Sequence, residues 1–536
     1  MYPNMRKLCL IAVLLLALFS TVLAQDGQVY HGKIDDSTPS QDYSVTLKSG
    51  DAVLITTTTP DTSKLDTVLT LYDPEGKVIS TNDDANVDTQ DSQVAAVAAE
   101  DGTYKITVTR YDNSTDGDYQ LDVKVGDESL LAYDVHMSGK EQTQDTEHFR
   151  FHYTVTGADV VKPPFLAAIE RAFENAWHVE IDKLGWPKPP SDGVMGGGKD
   201  LYDVYVIDVV GSPDEALGIT SPEGEVADNP NTPEVEQWAA ASYIEIDNDF
   251  HNIDFLPGQD AVTVMRSTAI HEFHHAIQMG YDAQESHSWL AEATSTWMES
   301  VAAGKDQDAT GYVETAYQYP ELCFGTTQDS SIMYGEWPFM ELLTDDFGAD
   351  AVMNLWKQIV NYEGFDALDH YLKTVGTDVP HELARYRIKN LARDYKLAPE
   401  FKATVWLENT ISGPGEWSHS SNIDGVQELG ANYLAFAAAK GVYDIELSGD
   451  ENKLEVFALG VAKDRIDSFA LGRGGVIDTS AYQYTYLMVF NPTYDNDISD
   501  CSSVDYKLEI TRSRGTPAAV DTTWNRQYFE PLKIQK

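Results

Sequence analysis

Several things this sequence has little of narrow its reading. Basic residues are scarce, 37 against 87 acidic ones, and the formal net charge is -50. A surface that negative repels nucleic acid and anionic membranes, so both drop out as partners. Long apolar runs are absent beyond the N-terminus, which leaves no later segment able to span a bilayer. No repeat of fixed period recurs, so a repeat array is not indicated. Cysteine is rare, at 3 residues, and adds little to the reading. What remains is ordinary folded protein: 42% apolar and 23% charged. The 536 residues suit roughly three domains. The acidic excess fits a chain that stays soluble outside the cell.

The N-terminus points to export. Arg6 and Lys7 precede an apolar run from Leu8 to Leu23. Val22 and Ala24 hold the small-residue positions before a signal-peptidase cut, and Gln25 opens a polar stretch. Residues 1–24 are therefore expected to be a cleaved signal peptide and the mature chain to be secreted and extracellular, with no membrane attachment after cleavage. A membrane anchor is the rival reading, but the apolar run is short for a span. Cys9 leaves with the signal. Cys323 and Cys501 remain, either as a disulfide or as two buried thiols.

From Gln25 to about residue 130 the chain reads as short strands and turns. Tyr43–Leu47, Ala52–Thr57, Val68–Tyr72, Lys77–Ser80, Thr103–Thr109 and Tyr119–Val125 are rich in β-branched and aromatic residues. Ser49-Gly50-Asp51, Asp73-Pro74-Glu75-Gly76 and Asp101-Gly102 separate them as turns, and a β-sandwich is expected. Through LDTVLTLYDPEGKVISTNDD (Leu65–Asp84) and DGTYKITVTRY (Asp101–Tyr111) this segment resembles the bacterial pre-peptidase C-terminal domain family. That resemblance implies a domain accompanying a secreted peptidase. The acidic loop Asp83–Asp88 has the oxygen donors to hold Ca2+, although EF-hand spacing is missing and a solvated loop is the simpler reading.

The pattern then changes. Phe165–Trp177 has helical periodicity, Tyr202–Val210 and Ser242–Ile246 read as strands, and helices are expected over Asp260–Met279 and Ser288–Ala303. Further helical stretches cover Glu336–Leu343, Ala351–Ile359 and His381–Ala392. Residues 131–403 thus read as one α+β domain. Strand patterns return from residue 404 to the end, including Tyr433–Ala437, Val442–Leu447, Leu454–Leu459, Tyr484–Phe490 and Tyr506–Ile510, and suggest a second β-sandwich.

The chemistry concentrates in AIHEFHHAIQ, Ala269–Gln278, an H-E-x-x-H match. On a helix, His271 and His275 lie one turn apart and can present both imidazoles to one ion, while Glu272 stays within reach of a water there. Zn2+ suits imidazole and carboxylate donors in a tetrahedral shell. His274 reads as a structural neighbour. The longer metzincin pattern would need glycine and histidine where Gln278 and Tyr281 stand, so that class is excluded. A second helix, WLAEATSTWME (Trp289–Glu299), supplies Glu292. Packing through Trp289, Leu290, Ala293 and Trp297 would turn Glu292 toward the histidines, and metal ligation compensates a carboxylate flanked by apolar residues. Glu299, two turns on, is the fallback ligand.

With HEFHH and WLAEATSTWME together the chain resembles the gluzincins, the thermolysin-like superfamily of metallopeptidases. The resemblance implies a multidomain protein with a zincin-like α+β domain between two β-sandwiches. It implies metal ligands His271, His275 and Glu292, and Glu272 as general base. Tyr334, in YGEWPFMELLTDDFG, becomes a candidate to stabilise an oxyanion, and Ser242–Phe250 a candidate edge strand that pairs with substrate. The chain departs from thermolysin at Ala291, where an Asn is usual, and at Thr296, where an Asp is usual. The expected function is a secreted zinc endopeptidase acting on protein or peptide. An inactive extracellular binding protein and a hydrolase of non-peptide amides or esters are the alternatives. Nothing in the sequence sets the oligomeric state.

Overall fold

The computed structural model describes residues 27–532, apart from 61–62, 86–88, 112–114, 134, 198, 211–215, 252–259, 305–308, 327–329, 420–424, 450–452 and 497–500. The expected signal peptide and residues 86–88 of the acidic loop lie outside the described residues. The chain forms two compact units that divide after Gln284.

The first unit opens with eight strands: β1 (Gln28–Ile34), β2 (Gln41–Leu47), β3 (Ala52–Thr58), β4 (Thr67–Tyr72), β5 (Val78–Asn82), β6 (Gln93–Val97), β7 (Gly102–Arg110) and β8 (Gly117–Gly126). They make two antiparallel sheets, in the orders β1-β8-β3-β6 and β2-β7-β4-β5. Strict alternation explains the pairing of faces. In β7, Tyr104, Ile106 and Val108 are buried while Lys105 is exposed. Both sheets contribute to one core, with Val53, Ile55 and Leu121 from one and Leu47, Leu69 and Ile106 from the other. Between β4 and β5, Asp73 accepts from the Lys77 amide at 2.8 Å, and Gly76 takes φ +86°. That left-handed position suits glycine.

The rest of this unit is a mixed sheet covered by helices. Its elements are β9 (Glu141–Asp145), β10 (Phe149–Thr154), α1 (Pro163–Trp177), β11 (Tyr202–Ile207), β12 (Gly218–Ala227), β13 (Ala239–Asp247) and α2 (Ala261–Met279). The sheet order is β12-β13-β11-β10-β9, with the central strands parallel and both outer pairs antiparallel. Phe149 on β10 meets Phe173 of α1 and Phe273 of α2, each at 5.4 Å between ring centroids, and this aromatic contact seats α2 against the sheet. One sequence expectation is corrected here. Residues from Ser242 do not form an edge strand, because β13 is paired on both sides; the edge beside it is β12, and β9 is the other. Ile244 and Ile246 are fully buried, as an interior strand requires, whereas Pro222 and two glycines disguise β12 as a turn. Proline is tolerated at an edge because no ladder donor is needed there.

The second unit begins with helices α3 (Ser288–Ala302), α4 (Ala309–Gln318), α5 (Ser330–Gly335), α6 (Pro338–Phe347), α7 (Ala351–Ile359), α8 (Gly364–Val375) and α9 (Val379–Ala392). Ten strands follow: β14 (Asn409–Ile411), β15 (Gly415–Ser418), β16 (Ala431–Phe436), β17 (Val442–Gly449), β18 (Glu455–Val461), β19 (Arg465–Gly472), β20 (Gly474–Asp478), β21 (Tyr484–Phe490), β22 (Tyr506–Arg512) and β23 (Thr522–Asn525). They form a six-stranded sheet, β14-β16-β21-β18-β19-β23, and a four-stranded one, β15-β22-β17-β20, that share a core. Helices and sheets are tied together. The Arg387 side chain on α9 donates to the Leu429 carbonyl, Tyr433 on β16 donates to the Arg387 carbonyl, and Cys323 is disulfide-bonded to Cys501.

A buried carboxyl in this unit carries a pH prediction. Glu336 is fully buried, accepts from the Gly325 amide at 2.8 Å, and lies 4.0 Å from Arg387. Burial, only partly offset by Arg387, pushes its pKa up to about 8 from 4.5. A folded-state pKa above the unfolded one means stability that is complete below the unfolded value and is lost as pH rises through about 8. Glu336→Gln keeps the shape and removes the ionisation. Denaturant titrations should find it more stable than the parent at pH 9, by on the order of 4 kcal/mol, with the gap closing by pH 4. Parallel pH curves for the two proteins would refute this.

Candidate metal centre

The helix carrying the H-E-x-x-H segment is well fixed. Asp260 caps α2 by accepting from the Thr263 amide at 3.1 Å, and Gly280 ends it. His271 is buried and His275 half-buried, with ring centroids 4.7 Å apart. This is the juxtaposition that a four-residue helical spacing produces. His275 Nδ1 lies 2.8 Å from Gln278 Oε1. With that oxygen as acceptor, Nδ1 carries the proton and Nε2 keeps its lone pair, the usual preparation of a metal-binding imidazole.

Glu272, on the same turn, is buried. Its Oε2 accepts from the Thr220 hydroxyl at 2.8 Å. His274 points the other way. Its Nδ1 lies 2.8 Å from Glu180 Oε2, both side chains are fully buried, and Trp186 packs edge-on against the imidazole. Burial drives the Glu180 carboxyl well above its ordinary range and His274 well below its own, with His275 and His271 adding to the latter. In both groups burial disfavours the charged form. Glu180 reaches His274 from a π-helical turn, His178–Lys183, that continues α1. His274 thus packs between Glu180 and Trp186 and is not part of the group described below.

Glu292 lies on α3 between buried Leu290 and Ala293 and is itself half-buried. Trp289 stacks on Phe365 at 5.0 Å, and Trp356 donates to Thr294 at 3.2 Å, so the helix cannot easily rotate. At its start His287 has Nδ1 2.7 Å from Glu285 and Nε2 3.0 Å from the Asn496 carbonyl, which occupies both ring nitrogens. Among the described residues, His271, His275 and Glu292 form a potential metal-binding group, their ligand atoms all within 4.8 Å of one another. Two imidazoles and one carboxylate are a donor set that fits zinc. Glu299 is buried but is not part of that group. Tyr334 is half-buried on α5, which packs on α3, and its ring lies 5.3 Å from that of Tyr312.

Three neighbours of these side chains went unread in the sequence. Gln278 had a local signal, since it lies three residues beyond His275 on one helical face. Thr220 and Glu180 had none, because only the folded sheet and the π-helical turn bring them to α2.

Residues 39–110 match the family model of the bacterial pre-peptidase C-terminal domain. No curated protein matches the chain. Among solved structures, the pre-peptidase C-terminal domain of a collagenase from Bacillus anthracis is similar at 18% identity, covering 18% of this chain and 89% of that one, with a TM-score of 0.16. A functionally unknown conserved protein from Bacillus anthracis str. Ames aligns at 10% identity over 87% of this chain and 99% of its own, with a TM-score of 0.26. The M60 catalytic domain of ZmpC from Clostridium perfringens, solved with the sialyl T antigen, aligns at 11% identity over 90% and 95%, with a TM-score of 0.25. Among the described residues no helix is long and apolar enough to cross a membrane. A disulfide accords with an oxidising compartment.

Proposed function

We propose that this chain is a secreted zinc endopeptidase that hydrolyses peptide bonds in protein or peptide substrates. The observation that carries the reading is the group of His271, His275 and Glu292, with Glu272 on the same helical turn as His271. When bound by those three residues, zinc would supply Lewis acidity, acidifying a water toward a pKa of ~7 and polarising a carbonyl. The protein's own part falls to Glu272. Its carboxylate takes the proton of the attacking water as the carbonyl carbon is attacked, then returns it to the departing amine nitrogen as the C–N bond breaks. Tyr334 is the candidate hydroxyl for the developing oxyanion. The edge strand β12, rather than β13, is the candidate to pair with an extended substrate backbone.

The test is hydrolysis of an unfolded protein such as casein by the mature chain. Cleavage should disappear with a chelator and return with zinc. A folded, zinc-loaded protein that leaves casein and a mixed peptide library intact would overturn the reading.

A further inference from the structure

We infer that Gly218 and Thr220 of β12 position the Glu272 carboxylate, an assignment that rests on the proposed role of Glu272 as the base. The two residues pair with Ile246 and Ile244 of β13. Being two apart on a strand, they share a face, and both meet Glu272 on α2. They act on Glu272 in opposite ways. Thr220 Oγ1 is 2.8 Å from Glu272 Oε2 and 2.9 Å from the Glu272 carbonyl oxygen, so its single proton is shared between two acceptors of the same residue, with the carboxylate oxygen the nearer. Gly218 provides room: a Cβ there would stand 2.7 Å from Glu272 Cγ and 3.0 Å from Oε1. Thr268 Cγ2 would be 3.0 Å away as well, so a larger residue must displace the Glu272 side chain or move the strand from α2.

A glutamate side chain has three torsions to order before it can take a proton in a fixed direction. A hydrogen bond on one oxygen and close backbone alongside restrict those torsions before substrate arrives, and misplacement by an ångström is enough to cost a large factor in rate. Thr220 and Gly218 are therefore positioning residues. They touch the base and have no assigned contact with the reacting atoms.

Thr220→Val removes the donor at nearly constant volume, and Thr220→Ser keeps it. With casein-derived peptides, Thr220→Val should lower kcat by about 10–100-fold with zinc content unchanged and a much smaller effect on KM, since the β12 backbone is kept, and Thr220→Ser should retain most of the activity. Gly218→Ala should reproduce the loss from the steric side. A crystal structure of Thr220→Val should find the carboxylate moved from its parental position. An unchanged kcat with the carboxylate in place would overturn the assignment, as would a Thr220→Ser loss equal to that of Thr220→Val, which marks packing alone. If the zinc-loaded parent hydrolyses nothing, the peptidase reading falls, and the crystal comparison still decides whether Thr220 holds Glu272.

Discussion

Glu272→Gln is expected to lower kcat/KM on an unfolded protein by about a thousandfold while the chain keeps its zinc and its melting temperature. The change preserves volume and leaves an amide oxygen to accept from Thr220, so neither the packing of β12 on α2 nor the bond at 2.8 Å need be lost. It removes only the ability to take up a proton and give it back. Glu272 is outside the ligand group, so zinc affinity should stay at the parental value. Steady-state kinetics beside metal analysis of the same preparation would check this. Two results would count against the assignment: activity within tenfold of the parent, or loss of zinc along with activity. The first would mean that another group moves the proton. The second would mean that Glu272 binds metal, which would reopen the choice of third ligand.

What could be read from the sequence was what is local. α2 and α3 announce themselves through capping and apolar spacing, and the observed bounds, Ala261–Met279 and Ser288–Ala302, fall within a residue of the expected ones. β7, with clean alternation, and β21, a continuous β-branched and aromatic apolar run, were equally legible. Strands β1, β6, β9, β10, β12, β14, β15, β19, β20 and β23 were not, nor were helices α4, α5 and α8. β12 shows why: Gly218, Pro222 and Gly224 are turn residues by local chemistry, and only pairing with β13 makes the segment a strand. The misassigned edge had the same origin. A strand's own pattern reveals how deeply it is buried, but which strands flank it is a property of the whole sheet. The immediate neighbours of the candidate centre divide the same way. Gln278 was within one helical turn of a proposed ligand, whereas Thr220 and Glu180 come from distant segments.

Replacing Glu292 by alanine should abolish zinc binding and activity together. The argument rests on what the remaining donors can do. Two imidazoles one helical turn apart leave a tetrahedral ion short of a protein ligand and leave its charge without a protein carboxylate. Removing an outer partner of a zinc ligand typically costs 10–100-fold in affinity, so loss of a ligand itself should exceed about a hundredfold. Competition with a chromogenic chelator would measure it, using Glu299→Gln as the control. Glu299 is a buried carboxylate two turns along the same helix, so its replacement tests disturbance of α3 without touching the proposed ligand set. Zinc should remain on Glu299→Gln at parental affinity. Should Glu292→Ala keep its zinc while Glu299→Gln loses it, the third ligand is Glu299, and α3 must turn or slide from the orientation that Trp289 and Trp356 now fix. Equal loss in both variants would place the effect in the helix rather than in either carboxylate. Only selective loss with Glu292→Ala makes the His–His–Glu group the metal centre.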